Sequence, residues 1–264
     1  MPPAEVYIHG HDESVLRSHR WRTIENSAAY LSAHLSPGLD VLDVGCGPGT
    51  ITVELAERVA PGAVVGIDRS EEVIAEARTL DGHGARFEVG DLSDLRFDDA
   101  SFDVVHAHQV LQHVSDPVGA LRELRRVCRR NGIVAARDAD YASFSWAPLD
   151  PRLDDWLATY RQVARANRAE PDAGRHLLGW AHAAGFTDVR VTASIWCFAT
   201  PEDRAWWGGL WADRMRSSRV PEQAIAHGIS DRPHLDAMAT AFEEWAGDPD
   251  GWFAVPHGEI VARR

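Results

Sequence analysis

The sequence contains no lysine: all 27 of its cationic side chains are arginine. That absence excludes Schiff-base chemistry and the lysine of a phosphate-binding P-loop, and with them a pyridoxal enzyme or a Walker-type ATPase. Cysteine is scarce too. Cys46, Cys128 and Cys197 show neither paired zinc spacing nor an even disulfide framework, which agrees with a reducing compartment. No metal site is expected, because His9-x-His11 has no carboxylate or cysteine partner at ligand spacing. No apolar run approaches the ~20 residues of a membrane span, and Met1 to Glu13 is too polar for a signal-peptide core. A soluble, cytoplasmic protein is expected. Positive charge is in deficit, with a net charge of -13, which opposes binding to a phosphate backbone, so no nucleic-acid partner is expected. The one concentrated basic patch, Arg122, Arg125, Arg126, Arg129 and Arg130, reads as the solvated face of a helix beside Leu121, Leu124 and Val127, with an RNA-binding surface as the alternative.

What is present is a chain of 264 residues, 45% apolar and 25% charged, enough to bury a substantial core as one large domain. From Asp40 to Ala136, short β-branched runs alternate with longer stretches of helical period, the sequence form of a parallel α/β sheet. The runs are Val41 to Val44, Val64 to Ile67, Phe87 to Val89, Val104 to His106 and Ile133 to Ala136. Helices are expected at Ile51 to Val59, Glu71 to Arg78 and Val118 to Arg129, with Ser70 as an N-cap. Upstream, Glu13 to Leu35 reads as one or two helices. Downstream, Leu153 to Asn167 and Ala173 to Ala184 read as helices, and strands follow at Val189 to Phe198 and Phe253 to Val261. Between those strands lie about fifty tryptophan-rich residues of helical period, far longer than an ordinary connection of ~2 to 6 residues.

The first strand ends Leu42-Asp43-Val44-Gly45-Cys46-Gly47-Pro48-Gly49-Thr50, placing a glycine-rich turn at the carboxyl edge of the sheet, where such folds bind ligands. A dinucleotide fingerprint needs glycine or alanine where Thr50 stands. Gly45, Gly47 and Gly49 instead form G-x-G-x-G, which favours a nucleoside without a pyrophosphate. Asp68 closes the second strand, where a carboxylate can accept both ribose hydroxyls.

These residues resemble class I S-adenosylmethionine-dependent methyltransferases, particularly those of ubiquinone and menaquinone biosynthesis. The resemblance runs from about Gly38 to Asp138. It includes Gly90-Asp91-Leu92, Ser101-Phe102-Asp103-Val104-Val105 and Val110-Leu111-Gln112-His113-Val114. It implies a doubly wound, Rossmann-like α/β sheet of seven strands with N-terminal helices and a helical insertion before the last strand. Within a single domain over 1–264, it divides the chain into a helical cover (1–36), a cofactor-binding core (37–138), substrate-side helices and a strand (139–199), a helical lid (200–250) and the last strand (251–264). By position, it implies that Asp43, Gly45 and Gly47 hold the methionine end of S-adenosylmethionine, with Gly49 completing the loop. Asp68 would hold the ribose and Asp91, after Gly90, the adenine amino group. Arg69 and Leu92 would flank the adenine, His108 would touch the cofactor through its backbone, and Arg22 either pairs with the methionine carboxylate or is an exposed helix arginine. S-adenosylhomocysteine would be the product.

Methyl transfer from a sulfonium is an in-line displacement governed by alignment. An oxygen, nitrogen or acidic carbon acceptor must also lose a proton. His113, after the fourth strand, is one candidate base, with a backbone-satisfied helical histidine as the alternative. Asp138, just past the fifth, is the other, with Asp140 beside it; solvated loop carboxylates are the plain reading of both. Tyr141 and Trp146 either line the mouth or pack. Trp207, Trp211 and Met215 give the insertion one bulky face, which with Trp206 is core, the wall of a small-molecule acceptor site, or a membrane or homodimer surface. Tyr7, His9, His11 and His19 form a histidine-rich entry segment. Two other readings share the nucleoside pocket: a cyclase that does not transfer methyl, and a binding module without catalysis.

Overall fold

The computed structural model describes residues 13–264 apart from Asp81 and His83; Tyr7, His9 and His11 lie outside the described residues. The strands are β1 Val41–Val44, β2 Val64–Asp68, β3 Arg86–Val89, β4 Phe102–His108, β5 Cys128–Ala139, β6 Ser145–Ala147, β7 Asp188–Phe198 and β8 Trp252–Arg263. The helices are α1 Glu13–Arg20, α2 Ile24–Ser27, α3 Thr50–Val59, α4 Glu71–Ala77, α5 Pro117–Val127, α6 Pro151–Ala166, α7 Leu177–Ala183, α8 Pro201–Ser217, α9 Arg219–Ala226 and α10 Arg232–Gly247. They form two compact units, one of residues 19–139, 173–194 and 257–264, the other of residues 13–18, 140–172 and 195–256.

In the first unit, β3-β2-β1-β4-β5 run parallel in that order, and β8 joins β5 antiparallel with β7 beside it. The order reverses between β1 and β4, and that switch point is where an open α/β sheet offers a crevice for a ligand. Both faces are covered, as buried parallel strands require. Leu121, Leu124 and Val127 of α5 and Leu177 of α7 pack on Val44, Ile67, Val105 and Val134. On the other face, Ile24, Leu31, Ile51, Leu55 and Val59 pack on Val41, Val64, Val104 and Ile133. Ser70 caps α4 as expected, its side chain accepting from the Val73 N–H.

The sheet has eight strands where seven were expected, because β6 pairs with residues 252–254 of β8 in the second unit. The expected helix to Arg129 ends at Val127, and β5 begins at Cys128. Arg129 is drawn to Asp40 and Asp103 at 2.8 and 2.6 Å, and Asn131 turns the chain with φ of 67°. The arginines of the basic patch lie exposed or half-buried on the outer face, and several of them are paired. Arg126 bridges Glu123 and Asp99, Arg122 donates to the Ala183 carbonyl, and Arg125 sits 5.6 Å over the Phe186 ring.

The second unit is built on rings. Trp156, Tyr160, Trp211, Phe242 and Phe253 are fully buried. Trp211 meets Trp156 edge-on at 4.5 Å, Trp207 stacks on Phe198 at 4.4 Å, and Tyr141 stacks on Tyr160 at 4.2 Å. Tyr141, Trp207 and Trp211, read as an acceptor wall or as core, thus pack in the core of this unit with other rings against their faces. Trp206 is half-buried, 5.7 Å from the Phe198 ring. Among the described residues no helix is long and apolar enough to cross a membrane, and no group of three or more His, Cys, Asp or Glu is placed to hold a metal ion.

Candidate active site

The glycine turn follows β1 directly. Gly45, Gly47 and Gly49 have φ of 67°, 56° and 88°, a region that excludes most side chains. At Gly45 a Cβ would lie 2.3 Å from Val110 Cγ2 and at Gly49 2.7 Å from Phe87 Cε1, whereas at Gly47 nothing stands nearer than His19 Nδ1 at 3.7 Å. The loop is thus packed at its two ends and open at its middle. At the end of β2, Asp68 accepts the Gly47 N–H at 3.1 Å through Oδ2 and the Ser70 N–H at 3.0 Å through Oδ1. Gly90 donates its N–H to the Asp68 carbonyl. The next residue, Asp91, accepts from the Ser93 N–H and hydroxyl and lies 3.6 Å from Arg69. Partial burial pushes its carboxyl up, but Ser93 and Arg69 together hold it below the ordinary carboxylate range. Leu92 is buried in the core cluster around Val44 and Ile67.

Asp43 departs from its expected role. Its carboxylate is 2% exposed, and both oxygens are taken inside the protein, Oδ2 by the Thr52 hydroxyl at 2.6 Å and Oδ1 by His106 Nδ1 at 2.8 Å. Asp43 therefore locks β1 to α3 and β4 rather than presenting a free carboxylate.

His106, His108, Arg137 and Glu259 continue this polar belt across β4, β5 and β8, where the register places His106 beside Asp43 and Ala135, and Arg137 between His108 and Glu259. Arg137 Nε donates to Glu259 at 3.3 Å and to Ser194 at 3.1 Å. Burial draws the guanidinium down to about 10 against the pull of Glu259. Burial, reinforced by Arg22 and Arg137, holds His108 well below its usual value, so it is neutral. Expected just past the fourth strand, His108 is instead the last residue of β4, and its imidazole is buried and stacked at 6.5 Å on that of His106.

The carboxyl ends of β4 and β5 carry a second network. Asp138 is fully buried; its Oδ1 accepts the Gln112 N–H at 3.0 Å, and its Oδ2 has no hydrogen-bond partner among the described residues. Burial raises its pKa to about 7, against the lowering effect of the Gln112 and Leu111 N–H groups and of Arg137 and Arg22. Arg22 donates to Gln109 Oε1 at 3.3 Å, Gln112 Nε2 donates to the same oxygen at 3.3 Å, and Gln109 Nε2 meets His257 Nε2 at 2.9 Å. Gln112 Nε2 also lies 3.2 Å from His113 Nε2, whose lone pair it engages. Burial and Arg22 lower His113 to about 3, too weak a base for chemistry near neutrality. Burial and the Gln112 contact thus weigh against His113 as the base, and Arg22 is found on Gln109 rather than exposed. Asp140 accepts from the Ser143 hydroxyl, in the second unit.

The structure thus brings Arg22, His108, His113 and Asp138 to one edge and Gly45, Gly47, Gly49, Asp68, Arg69, Gly90 and Asp91 to the adjacent strand ends. Sequence reading missed Thr52, His106, Gln109, Gln112, His257 and Glu259 as members of these networks. Histidines at 106 and 108, interleaved with Ala107 directly after Val104 and Val105, were the available signal, because the buried stretch of a parallel strand is ordinarily apolar.

Comparison with known proteins decides the family. Residues 35–191 match the family described as a methyltransferase domain. An uncharacterized methyltransferase of Schizosaccharomyces pombe is 34% identical over 98% of this chain and 96% of its own length. This chain belongs to the class I S-adenosylmethionine-dependent methyltransferases. A demethylmenaquinone methyltransferase of Roseiflexus castenholzii is 36% identical over 60% of this chain and 64% of its own. Among solved structures, the YcgJ protein of Bacillus subtilis shares the fold, with a TM-score of 0.58 at 20% identity over 90% of this chain and 97% of that one. In this methyltransferase the glycine loop and the polar networks both stand at the carboxyl edge of the sheet, on either side of the switch point.

Proposed function

We propose that this methyltransferase methylates a small organic acceptor whose reacting atom is held at, and deprotonated by, Asp138. The observation that carries the reading is a fully buried carboxyl with one oxygen unpartnered among the described residues and a pKa raised to about 7. Such a group is ionised in useful amount at neutral pH and binds a proton well enough to take it from an acceptor, which is what general base catalysis asks. A buried acceptor oxygen left without a donor is also costly, and a ligand N–H or O–H relieves that cost.

The residues of the glycine loop fit the cofactor. Gly47 leaves open the space a side chain would fill, Asp68 keeps lone pairs beyond the two N–H groups it accepts, and the first turn of a helix such as α3 carries N–H groups without intrahelical partners. S-adenosylmethionine supplies an electrophilic methyl group on a positively charged sulfur. In this reading Asp68 accepts the ribose hydroxyls, Asp91 the adenine amino group, and Gly45, Gly47 and Gly49 let the backbone approach the methionine portion. Asp43 acts on that portion through the geometry of the loop. Asp138 removes the acceptor's proton, and the buried belt keeps water from competing. Three free cysteines support a reducing location, the cytoplasm.

Calorimetric titration with S-adenosylhomocysteine, followed by an acceptor screen that reads its formation, tests the proposal. Micromolar binding is expected, with product formation that Asp138→Asn lowers about 100-fold or more. Turnover of an acceptor without S-adenosylhomocysteine release would indicate non-methylating chemistry such as cyclisation, and binding without any turnover would indicate a binding module.

A further inference from the structure

The networks around Asp138 fix not only where a proton goes but also which acceptor donates it. Amide orientation normally rests on assignment, yet here it follows from one unambiguous donor. The Arg22 guanidinium can only donate, so the Gln109 atom facing it is the oxygen. Gln112 approaches that same oxygen at 3.3 Å, so its facing atom is the NH2 group, whose second hydrogen is directed to His113 Nε2 at 3.2 Å. Both Gln112 donors are therefore used. Its remaining atom, Oε1, is buried in a residue 3% exposed and has no hydrogen-bond partner among the described residues. The Gln112 backbone N–H is bonded to Asp138 Oδ1, and Asp138 Oδ2 is unpartnered as well.

Two adjacent buried groups thus each present a bare acceptor oxygen. A hydroxyl carries one hydrogen and satisfies one of them; a primary amine or ammonium carries enough for both. The geometry points to a primary amine as the methyl acceptor, with Gln112 Oε1 and Asp138 Oδ2 receiving its N–H groups and Gln112 selecting nitrogen over oxygen. The step balances. One N–H bond of the bound ammonium breaks with its proton to Asp138 Oδ2, and the freed nitrogen lone pair forms the N–CH3 bond. The C–S bond breaks with its electron pair remaining on sulfur, leaving a methylammonium product, a neutral thioether and a protonated Asp138. This inference rests on the methyl-transfer reading of the site.

The test incubates the whole protein with S-adenosylmethionine carrying 13C in its methyl group and a small-molecule extract of the cells that produce it. NMR of the labelled product then shows which atom bears the methyl, whatever the acceptor's identity. An N-methyl product from a primary amine is expected. A labelled O-methyl or C-methyl product overturns the inference while methyl transfer stands. No labelled product and no S-adenosylhomocysteine overturns the methyl-transfer reading itself. With the amine in hand, Gln112→Leu is expected to lower kcat/KM by about 10- to 100-fold, the scale of leaving a buried donor unpaired. Unchanged kcat/KM in a folded Gln112→Leu protein overturns the role of Gln112.

Discussion

Replacing Asp138 by asparagine changes the pH dependence of stability in a calculable way. The group titrates near 3.8 when exposed and about 7 in the fold, so the native state binds its proton more tightly than the unfolded chain does. Below pH 4 both states are protonated and burial of the neutral carboxyl carries no ionisation cost. As pH rises through this window the unfolded state gains from ionisation and the native state does not, so stability falls, and above pH 7 the loss is complete. The total is about 4 kcal/mol, of which about 3 kcal/mol falls between pH 5 and 8. Asparagine has nearly the same shape and does not titrate, so Asp138→Asn removes this slope whatever constant offset the amide introduces. Guanidinium denaturation of both proteins at pH 5, 6, 7 and 8 measures it, because every other titrating group contributes equally to the two curves. Stabilities that run parallel across this range would refute both the raised pKa and the case for Asp138 as the base.

The same titration governs activity: kcat/KM is expected to rise through pH about 7 as Asp138 ionises, and Asp138→Asn to flatten the profile at a level about 100-fold lower or less. His113→Asn is expected to leave no missing inflection, since a histidine at about 3 is neutral throughout the working range; loss of a neutral-pH inflection would restore it as a base. Asp68→Ala should weaken S-adenosylhomocysteine binding by about 1–3 kcal/mol in calorimetry, and unchanged affinity in a folded variant would remove it from the site. Gly45→Ala should destabilise, since its Cβ would lie 2.3 Å from Val110 Cγ2. Adding Val110→Ala should recover only the steric part, because φ of 67° remains; full recovery would show that backbone conformation costs nothing there. Trp211→Ala should cost about 3–5 kcal/mol by thermal or denaturant unfolding, as expected of a fully buried ring, and a surface-like loss would return it to a ligand wall.

The parts of the fold that rest on local pattern were legible. The alternation of apolar runs marks β1 to β5, and Ser70 caps the helix it precedes, because strand burial and capping are written within a few residues of themselves. The three-residue β6 was not legible, since its existence depends on a partner strand more than a hundred positions away. The tryptophan stripe of α8 reads alike whether a ligand or another helix covers it; Trp156 and Phe242 on α6 and α10 decide for packing. At the site, Asp68 and Asp138 follow from their strand ends. The partners of Asp43 do not, because His106 stands 63 positions away and only strand register brings the two together. Likewise, His113 reads as a base until Gln112 is seen to occupy its lone pair.

The chain of contacts from Arg22 through Gln109 to Gln112 has a direction, and only its head sets it. His257 and His113 adjust to either orientation of the amides by moving a proton between ring nitrogens, so neither imposes a sense on the chain. The guanidinium cannot adjust. Which chemical group this site welcomes is consequently written one contact before the amides that express it, and a lineage exchanging Arg22 for a hydrogen-bond acceptor would reverse both amides together. Such a change would turn a receiver of hydrogens into a giver of them without altering any side chain that the acceptor touches.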